Sequence, residues 1–182
     1  MFPSDVDNVI AGPAQQTSVT YDAAPGERND VTVTTVKDFV MVHDAGAPVT
    51  SATGCEALTP DMARCAVTTG PRRFTNVLAR LGDGDDRGRL QGDVLPGGEI
   101  IAGGVLDGGA GEDLLRSDHD GGLNGAAGAD DLAQTGLSGS MTGGSASDTL
   151  RGGPGDDRLV GDDAGDTPAP DTLVGASVAT KS

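Results

Sequence analysis

The sequence predicts an all-β fold: a right-handed parallel β-roll, a form of β-solenoid, preceded by a β-rich N-terminal capping region. Three observations carry this expectation. A phrase of nine residues recurs in register through the second half of the chain. Residues 81–182 hold 25 of the 30 glycines and 19 of the 28 acidic residues, and all four aromatic residues lie before them. The first half instead alternates β-branched or apolar residues with polar ones, the two-residue period of a half-buried strand.

Taken in order along the chain, residues 1–16 are polar and irregular and are expected to form a flexible leader. Residues 17–80 form the cap. Ser18-Val-Thr-Tyr21 and Asp30-Val-Thr-Val-Thr-Thr-Val36 read as strands joined by turn chemistry at Ala24-Pro-Gly26. Phe39-Val-Met-Val-His43 reads as a third strand, closed by Asp44-Ala-Gly-Ala-Pro48, and Thr75-Asn-Val-Leu-Ala-Arg-Leu81 as the strand that feeds the first acidic turn. Cys55 and Cys65 flank a Thr59-Pro-Asp61 turn, and a disulfide closing that hairpin is the expected pairing. It would add up to roughly 3 kcal/mol by loop closure and favours an oxidising compartment. A catalytic or zinc-binding cysteine finds no second Cys pair or His cluster to support it.

Residues 81–175 carry the repeat, with 176–182 as a tail. Gly108-Gly-Ala-Gly-Glu-Asp-Leu-Leu-Arg116 and Gly152-Gly-Pro-Gly-Asp-Asp-Arg-Leu-Val160 match G-G-x-G-x-D-x-U-x, where U is a large apolar residue, at every fixed position. From Gly125 four nonapeptides follow without a break, with Leu132, Met141, Leu150 and Leu159 at the apolar position. Only the unit starting at Gln134 lacks the acidic residue. A unit of eight residues, Ser117 to Asn124, separates this series from the Gly108 unit and still places Leu123 in its slot. Leu106 lies nine residues before Leu115, and Gly82-Asp-Gly-Asp-Asp86 has the turn chemistry without a clear following strand. A unit starting at Gly161 keeps Asp166 in register, after which Asp171-Thr-Leu-Val174 resumes following a slip. One such unit buries a single apolar side chain, so stacking is obligatory.

Glycine turns aim backbone carbonyls inward and end in an aspartate. Calcium takes roughly six to eight oxygen ligands from carboxylates and carbonyls, and the turn offers both. The repeat resembles that of the RTX calcium-binding family over about the last hundred residues. In that family two nonapeptides make one coil, and calcium sits between turns one coil apart, bridged by the sixth-position Asp. The resemblance implies several bound Ca2+ ions at an eighteen-residue spacing. Asp113, Asp130, Asp148 and Asp166 then form an acidic column on one edge. The other edge reads Asp86, Gly104, Gly121, Gly139 and Asp157, so Asp86 and Asp157 are expected to be weaker sites. Ala146, at the fourth position, departs from the pattern. More loosely, Tyr21-Asp-Ala-Ala-Pro-Gly26, His43-Asp-Ala-Gly-Ala-Pro48, Gly54-Cys55 and Leu81-Gly-Asp-Gly-Asp-Asp86 resemble the N-terminal region of secreted actinobacterial proteins of this type, which implies a cap over the first coil.

Charge and composition narrow the function. The net charge of −16 divides into −13 after residue 80 and −3 before it. So acidic a surface argues against nucleic acid as a partner, and no apolar run is long enough to span a membrane. The segment 81–182 has too little apolar surface to offset the entropy of ordering its backbone, so it is expected to be largely disordered until calcium binds. His43 beside Asp44 reads as a strand-end histidine next to a turn, and His119 between Asp118 and Asp120 as a solvated loop with an auxiliary metal ligand as the sharper alternative. Paired acids such as Asp130-Asp131 and Asp156-Asp157 recur with the repeat and do not suggest glycosidase carboxylates. No enzyme is expected. The sequence fits a secreted, non-enzymatic calcium-binding module, or an accessory segment of a larger secreted hydrolase or toxin. An adhesin or ice-binding face would need a repeated exposed residue, and the positions before the apolar slot (Leu114, Gly122, Asp131, Ser140, Thr149, Arg158) show none. No protein or glycan partner is identifiable.

Overall fold

The computed structural model describes residues 7–11, 18–36, 39–66, 75–92, 102–162, 169–175 and 177–178. The protein is all-β, with parallel and mixed pairing. The cap contains β1 (Asp7–Ala11), β2 (Ser18–Asp22), β3 (Asp30–Val36), β4 (Phe39–Asp44), β5 (Val49–Ser51), β6 (Cys55–Thr59) and β7 (Met62–Ala66). The acidic half follows as β8 (Thr75–Arg80), β9 (Arg87–Gly92), β10 (Ala102–Ala110), β11 (Leu114–Ser117), β12 (Gly121–Ala127) and β13 (Asp131–Gln134). It continues through β14 (Ser140–Ser145), β15 (Thr149–Arg151), β16 (Asp156–Val160), β17 (Thr172–Val174) and β18 (Ser177–Val178).

Two nine-stranded sheets result, in the orders β18-β16-β14-β12-β10-β8-β2-β1-β5 and β17-β15-β13-β11-β9-β3-β4-β7-β6. From β8 onward successive strands alternate between the sheets, and each pairs in parallel with the strand two places on. The cap instead uses antiparallel pairs, β1 with β2, β3 with β4, β4 with β7 and β6 with β7. It joins the acidic half through β2 against β8 and β3 against β9, both parallel.

Register follows the apolar slot of the repeat. In the first sheet Tyr21, Ala79, Leu106, Leu123, Met141 and Leu159 stand opposite one another in turn. In the second the same holds for Val31, Gly88, Leu115, Leu132, Leu150 and Leu173. All but Gly88 and Leu173 are fully buried in one core. Strands bury alternate side chains because the pleat turns successive ones to opposite faces, and β11 and β13 show it, with Leu115 and Ser117, then Leu132 and Gln134, inward. Each leucine contributes about 2 kcal/mol by burial.

Two expectations are corrected. Residues 7–11 are a strand, not irregular leader: Asp7-Asn-Val-Ile-Ala11 has β-branched residues at its centre and pairs with both β2 and β5. The turn at Gly82 to Asp86 is also followed by a strand, β9. Its apolar slot is hidden because Gly88 occupies it, and a Cβ there would meet Leu81, Leu115 and Leu106 side chains at 3.0 to 3.2 Å. Neighbouring leucines fill that space, and the strand is legible only from Leu90.

Cys55 and Cys65 are joined in a disulfide and face each other across β6 and β7. Ala126 and Ala146 adopt positive φ, 75° and 82°, at turn positions where the repeat elsewhere uses glycine. Both turns therefore keep the glycine conformation despite carrying a Cβ, at about 1 kcal/mol or more each.

Replacing Leu132, which is fully buried between Leu115 and Leu150, with alanine is expected to lower stability by about 2–5 kcal/mol. Leu137→Ala, at a site 70% exposed, is expected to change it by less than about 0.5 kcal/mol. Thermal unfolding of both variants in calcium is the measurement.

Candidate metal centre

The turns that lead into the second sheet place an aspartate immediately before each strand. Because β9, β11, β13, β15 and β17 pair in register, Asp86, Asp113, Asp130, Asp148 and Asp171 stack in one column. They are interlocked. The backbone N–H of Asp86 donates to Asp113 Oδ1 at 2.9 Å, that of Asp113 to Asp130 Oδ1 at 2.8 Å, that of Asp130 to Asp148 Oδ1 at 2.9 Å and that of Asp148 to Asp171 Oδ1 at 2.9 Å. In each of Asp86, Asp113, Asp130 and Asp148 the other oxygen, Oδ2, is buried and has no hydrogen-bond partner.

In Asp113, Asp130 and Asp148 that free oxygen sits where the first glycine of the unit lacks a side chain. A Cβ on Gly125 would stand 2.2 Å from Asp130 Oδ2 and 2.6 Å from the carbonyl oxygen of Gly143 on the next coil. Gly108 repeats the arrangement with Asp113 Oδ2 at 2.2 Å and the Gly125 carbonyl at 3.0 Å. At Gly143 and Gly161 the same point lies 2.2 Å from Asp148 Oδ2 and 2.0 Å from Asp171 Oδ2. Each unit thus holds a cradle open between a carboxylate oxygen and, at Gly108 and Gly125, a carbonyl from the following coil. Among the described residues no three His, Cys, Asp or Glu side chains converge as a metal cluster. A cation in this column would draw on backbone oxygens as well as carboxylates.

Burial and crowding shift the column's acidity. Burial, reinforced by neighbouring carboxylates, raises Asp86 to about 6, Asp130 to about 7 and Asp148 to about 6. Asp113 is raised by burial and by the charges of Asp85 and Asp107. Opposing these are the amide hydrogen bonds just described, which favour the charged form.

The cap ends the column with a neutral residue. Asn29 stands where the next aspartate would be: its N–H donates to Asp86 Oδ1 at 2.7 Å and its Nδ2 to the Leu81 carbonyl at 3.0 Å. Behind it the fully buried Asp44 accepts from the Tyr21 hydroxyl at 2.8 Å and from the N–H groups of Asp30 and Gly46, both at 2.8 Å.

On the opposite edge Gly104, Gly121, Gly139 and Asp157 stack in register, as the repeat implies. Asp157 is buried, and burial raises its pKa, opposed by the Gly139 backbone N–H and reinforced by Asp120 and Asp156.

Two placements, of Asp86 and Asp171, differ from the sequence expectation. Asp86 belongs to the main column and not to the sparse edge, because it stands opposite Asp113. Counting by nines places it on the other edge because 27 residues, not 18, separate the paired strands β9 and β11. Asp166 lies outside the described residues. Asp171 takes the column position instead, and its signal was present, since Asp171 and Leu173 keep the two-residue spacing of Asp148 and Leu150. Ala146 keeps the turn by adopting positive φ.

The histidines lie elsewhere. His43 Nε2 contacts Asp61 Oδ2 at 3.2 Å on the half-exposed face of the cap. His119 is half-buried with Nδ1 lacking a partner, and burial lowers its pKa although Asp118 and Asp120 push it upward. Comparison with models of protein families, with curated proteins and with solved structures finds no match to this chain.

Gly125→Ala is expected to push a methyl group into the Asp130 carboxylate and the Gly143 carbonyl and to destabilise the protein by about 2–3 kcal/mol. Gly122→Ala, whose Cβ meets the Val105 methyls at 3.3 and 3.8 Å and the Ser140 carbonyl at 4.0 Å, is the matched control and is expected to cost less than about 1 kcal/mol. Chelated protein should also respond to pH. Carboxylates whose folded pKa is raised stabilise the fold when protonated, and that stability is lost as pH rises through about 6 to 7. Far-UV circular dichroism in chelator is expected to gain β signal as pH falls from about 8 to 5, and a flat profile would contradict the burial of this column.

Proposed function

We propose that this chain is a secreted, non-enzymatic calcium-binding protein of the RTX type, whose acidic half is a right-handed parallel β-roll completed by Ca2+ between stacked glycine turns. The observation that carries this is the column Asp86, Asp113, Asp130, Asp148 and Asp171. In its first four members one oxygen is fixed by an amide and the other is buried and unpartnered, and in Asp113, Asp130 and Asp148 that second oxygen lies over a position kept free by glycine. Buried acceptors left bare cost about 1–3 kcal/mol each. Like charges stacked at one strand spacing add repulsion. A hard divalent cation removes both costs, and its preference for carboxylate and carbonyl oxygens fits the donor set.

The alternation of strands between two sheets, with a return every 17 or 18 residues through β10 to β16, supports the roll. Asp86, Asp113, Asp130, Asp148 and Asp171 would hold the ions on the main edge, and Asp157 a further one. Bound calcium would neutralise the column and tie successive coils together. The chain's own residues set the coil spacing, hold the carboxylates and exclude side chains from the cradle. The Cys55–Cys65 disulfide supports an oxidising, extracellular setting.

Circular dichroism of the whole chain is expected to show a large gain of β structure between chelator and millimolar calcium, and calorimetry several ions per chain. Asp130→Asn is expected to remove ions from the main column and to lower the unfolding temperature in calcium. Identical spectra with and without calcium, or no heat of binding, would refute the proposal.

A further inference from the structure

Resting on the calcium role proposed above, we infer that the second edge carries one cation site of a different composition, built from the Gln134 side-chain amide and the Asp157 carboxylate on successive coils. In the unit from Gln134 to Thr142 two positions are exchanged: glutamine stands where the first glycine stands elsewhere, and Gly139 stands where the aspartate does. The two changes compensate each other in space. A Cβ on Gly139 would lie 1.8 Å from Gln134 Oε1 and 2.2 Å from Nε2, so the amide bridges the turn from the opposite end. In the next coil the usual order returns, and a Cβ on Gly152 would lie 2.3 Å from Asp157 Oδ2.

Gly139 and Asp157 are register neighbours through the pair Ser140 and Arg158, and Gln134 and Gly152 through Ala133 and Arg151. Amide and carboxylate therefore occupy corresponding places in adjacent coils, about one strand spacing of 4.8 Å apart. Both residues are almost fully buried, Gln134 at 2% and Asp157 at 4% exposure. Gln134 Nε2 donates to the Ser138 carbonyl at 3.0 Å, which fixes the amide and leaves Oε1 as its free atom. Oε1 has no partner. The Gly139 backbone N–H is turned toward the Asp157 carboxylate, as the column amides are toward theirs, which leaves Gln134 Oε1 and the rest of the carboxylate for a cation. The backbone carbonyl of Gly136 lies 2.3 Å from the Cβ position of Gly153 in the same stack, and Asp120 and Asp156 add negative charge nearby.

An amide oxygen, a carboxylate and backbone carbonyls are ligands for a hard divalent cation. The site holds one formal negative charge where successive aspartates of the main column hold two. Ligand charge sets affinity in oxygen cages, so this site takes calcium more weakly and fills last.

The experiment is equilibrium dialysis of calcium against the full chain and three variants. Wild type is expected to show a tight class and one ion that binds at about tenfold or more higher free calcium. Gln134→Leu and Asp157→Asn are expected to lose that last ion while keeping the tight class. Gln134→Glu adds the missing charge and is expected to tighten the last ion by about tenfold or more. The opposite directions of the leucine and glutamate variants separate ligation from a general loss of folding, and the backbone amide of Asp130 in NMR spectra reports whether the main column is intact. In the same spectra the Gln134 side-chain NH2 pair is expected to shift in the late step of the wild-type titration. Calcium-binding wild type with three variants unchanged in count and midpoint, or a Gln134 pair that stays still through the late step, would overturn this inference alone. A wild-type chain that binds no calcium would overturn it together with the role proposed above.

Discussion

Neighbouring strands of the second sheet are tied by the backbone amide of one aspartate and the carboxylate of the next, and the rest of the acidic half is arranged around that link. The bond uses Oδ1 and turns Oδ2 inward, where the chain supplies no donor. Glycine is needed at 108, 125, 143 and 161 because an aspartate Oδ2 fills the place of its side chain. Stacking at one strand spacing then sets like charges about 4.8 Å apart, a repulsion on the order of 3 kcal/mol per neighbouring pair at an effective dielectric of 20. Burying one leucine contributes about 2 kcal/mol. The apolar columns of the two sheets oppose that repulsion, and protonation of the raised carboxylates lessens it.

The cap handles a similar problem by other means. Asp44 is as buried as any aspartate of the column, yet its oxygens are met by Tyr21, Asp30 and Gly46 within the protein. Asn29 then presents a neutral amide to the first carboxylate of the stack. Antiparallel pairing, a disulfide and a cluster of buried valines (Val19, Val31, Val33, Val40 and Val42) give this region a core that needs no ion. The two portions are joined through β2 against β8 and β3 against β9.

Much of this was legible in the sequence wherever the nine-residue frame was unbroken. Leu115, Leu123, Leu132, Met141, Leu150 and Leu159 occupy the core as their period requires, and Asp113, Asp130 and Asp148 stack as their spacing requires. The frame failed where the chain changes length between strands, because residue count and coil count then diverge. Asp86 was assigned to the wrong edge for that reason, and Asp171 was passed over for Asp166. Spacing within a turn survives such insertions, and the interval from aspartate to apolar residue is a better guide than the interval from one aspartate to the next. Gly88 illustrates another limit, since a core position filled by its neighbours' side chains leaves no apolar letter to read. The exchange of Gln134 and Gly139 is visible in the sequence as a defect, and only the folded turn shows the two changes to be one.

The links along the column also have a direction. Every donor lies in the earlier coil and every acceptor in the later one, from Asn29 onward. A chain that emerges amino end first therefore presents each amide before the carboxylate that will receive it. Every coil is finished by its successor, so a growing stack always has its unfinished face at the carboxyl end.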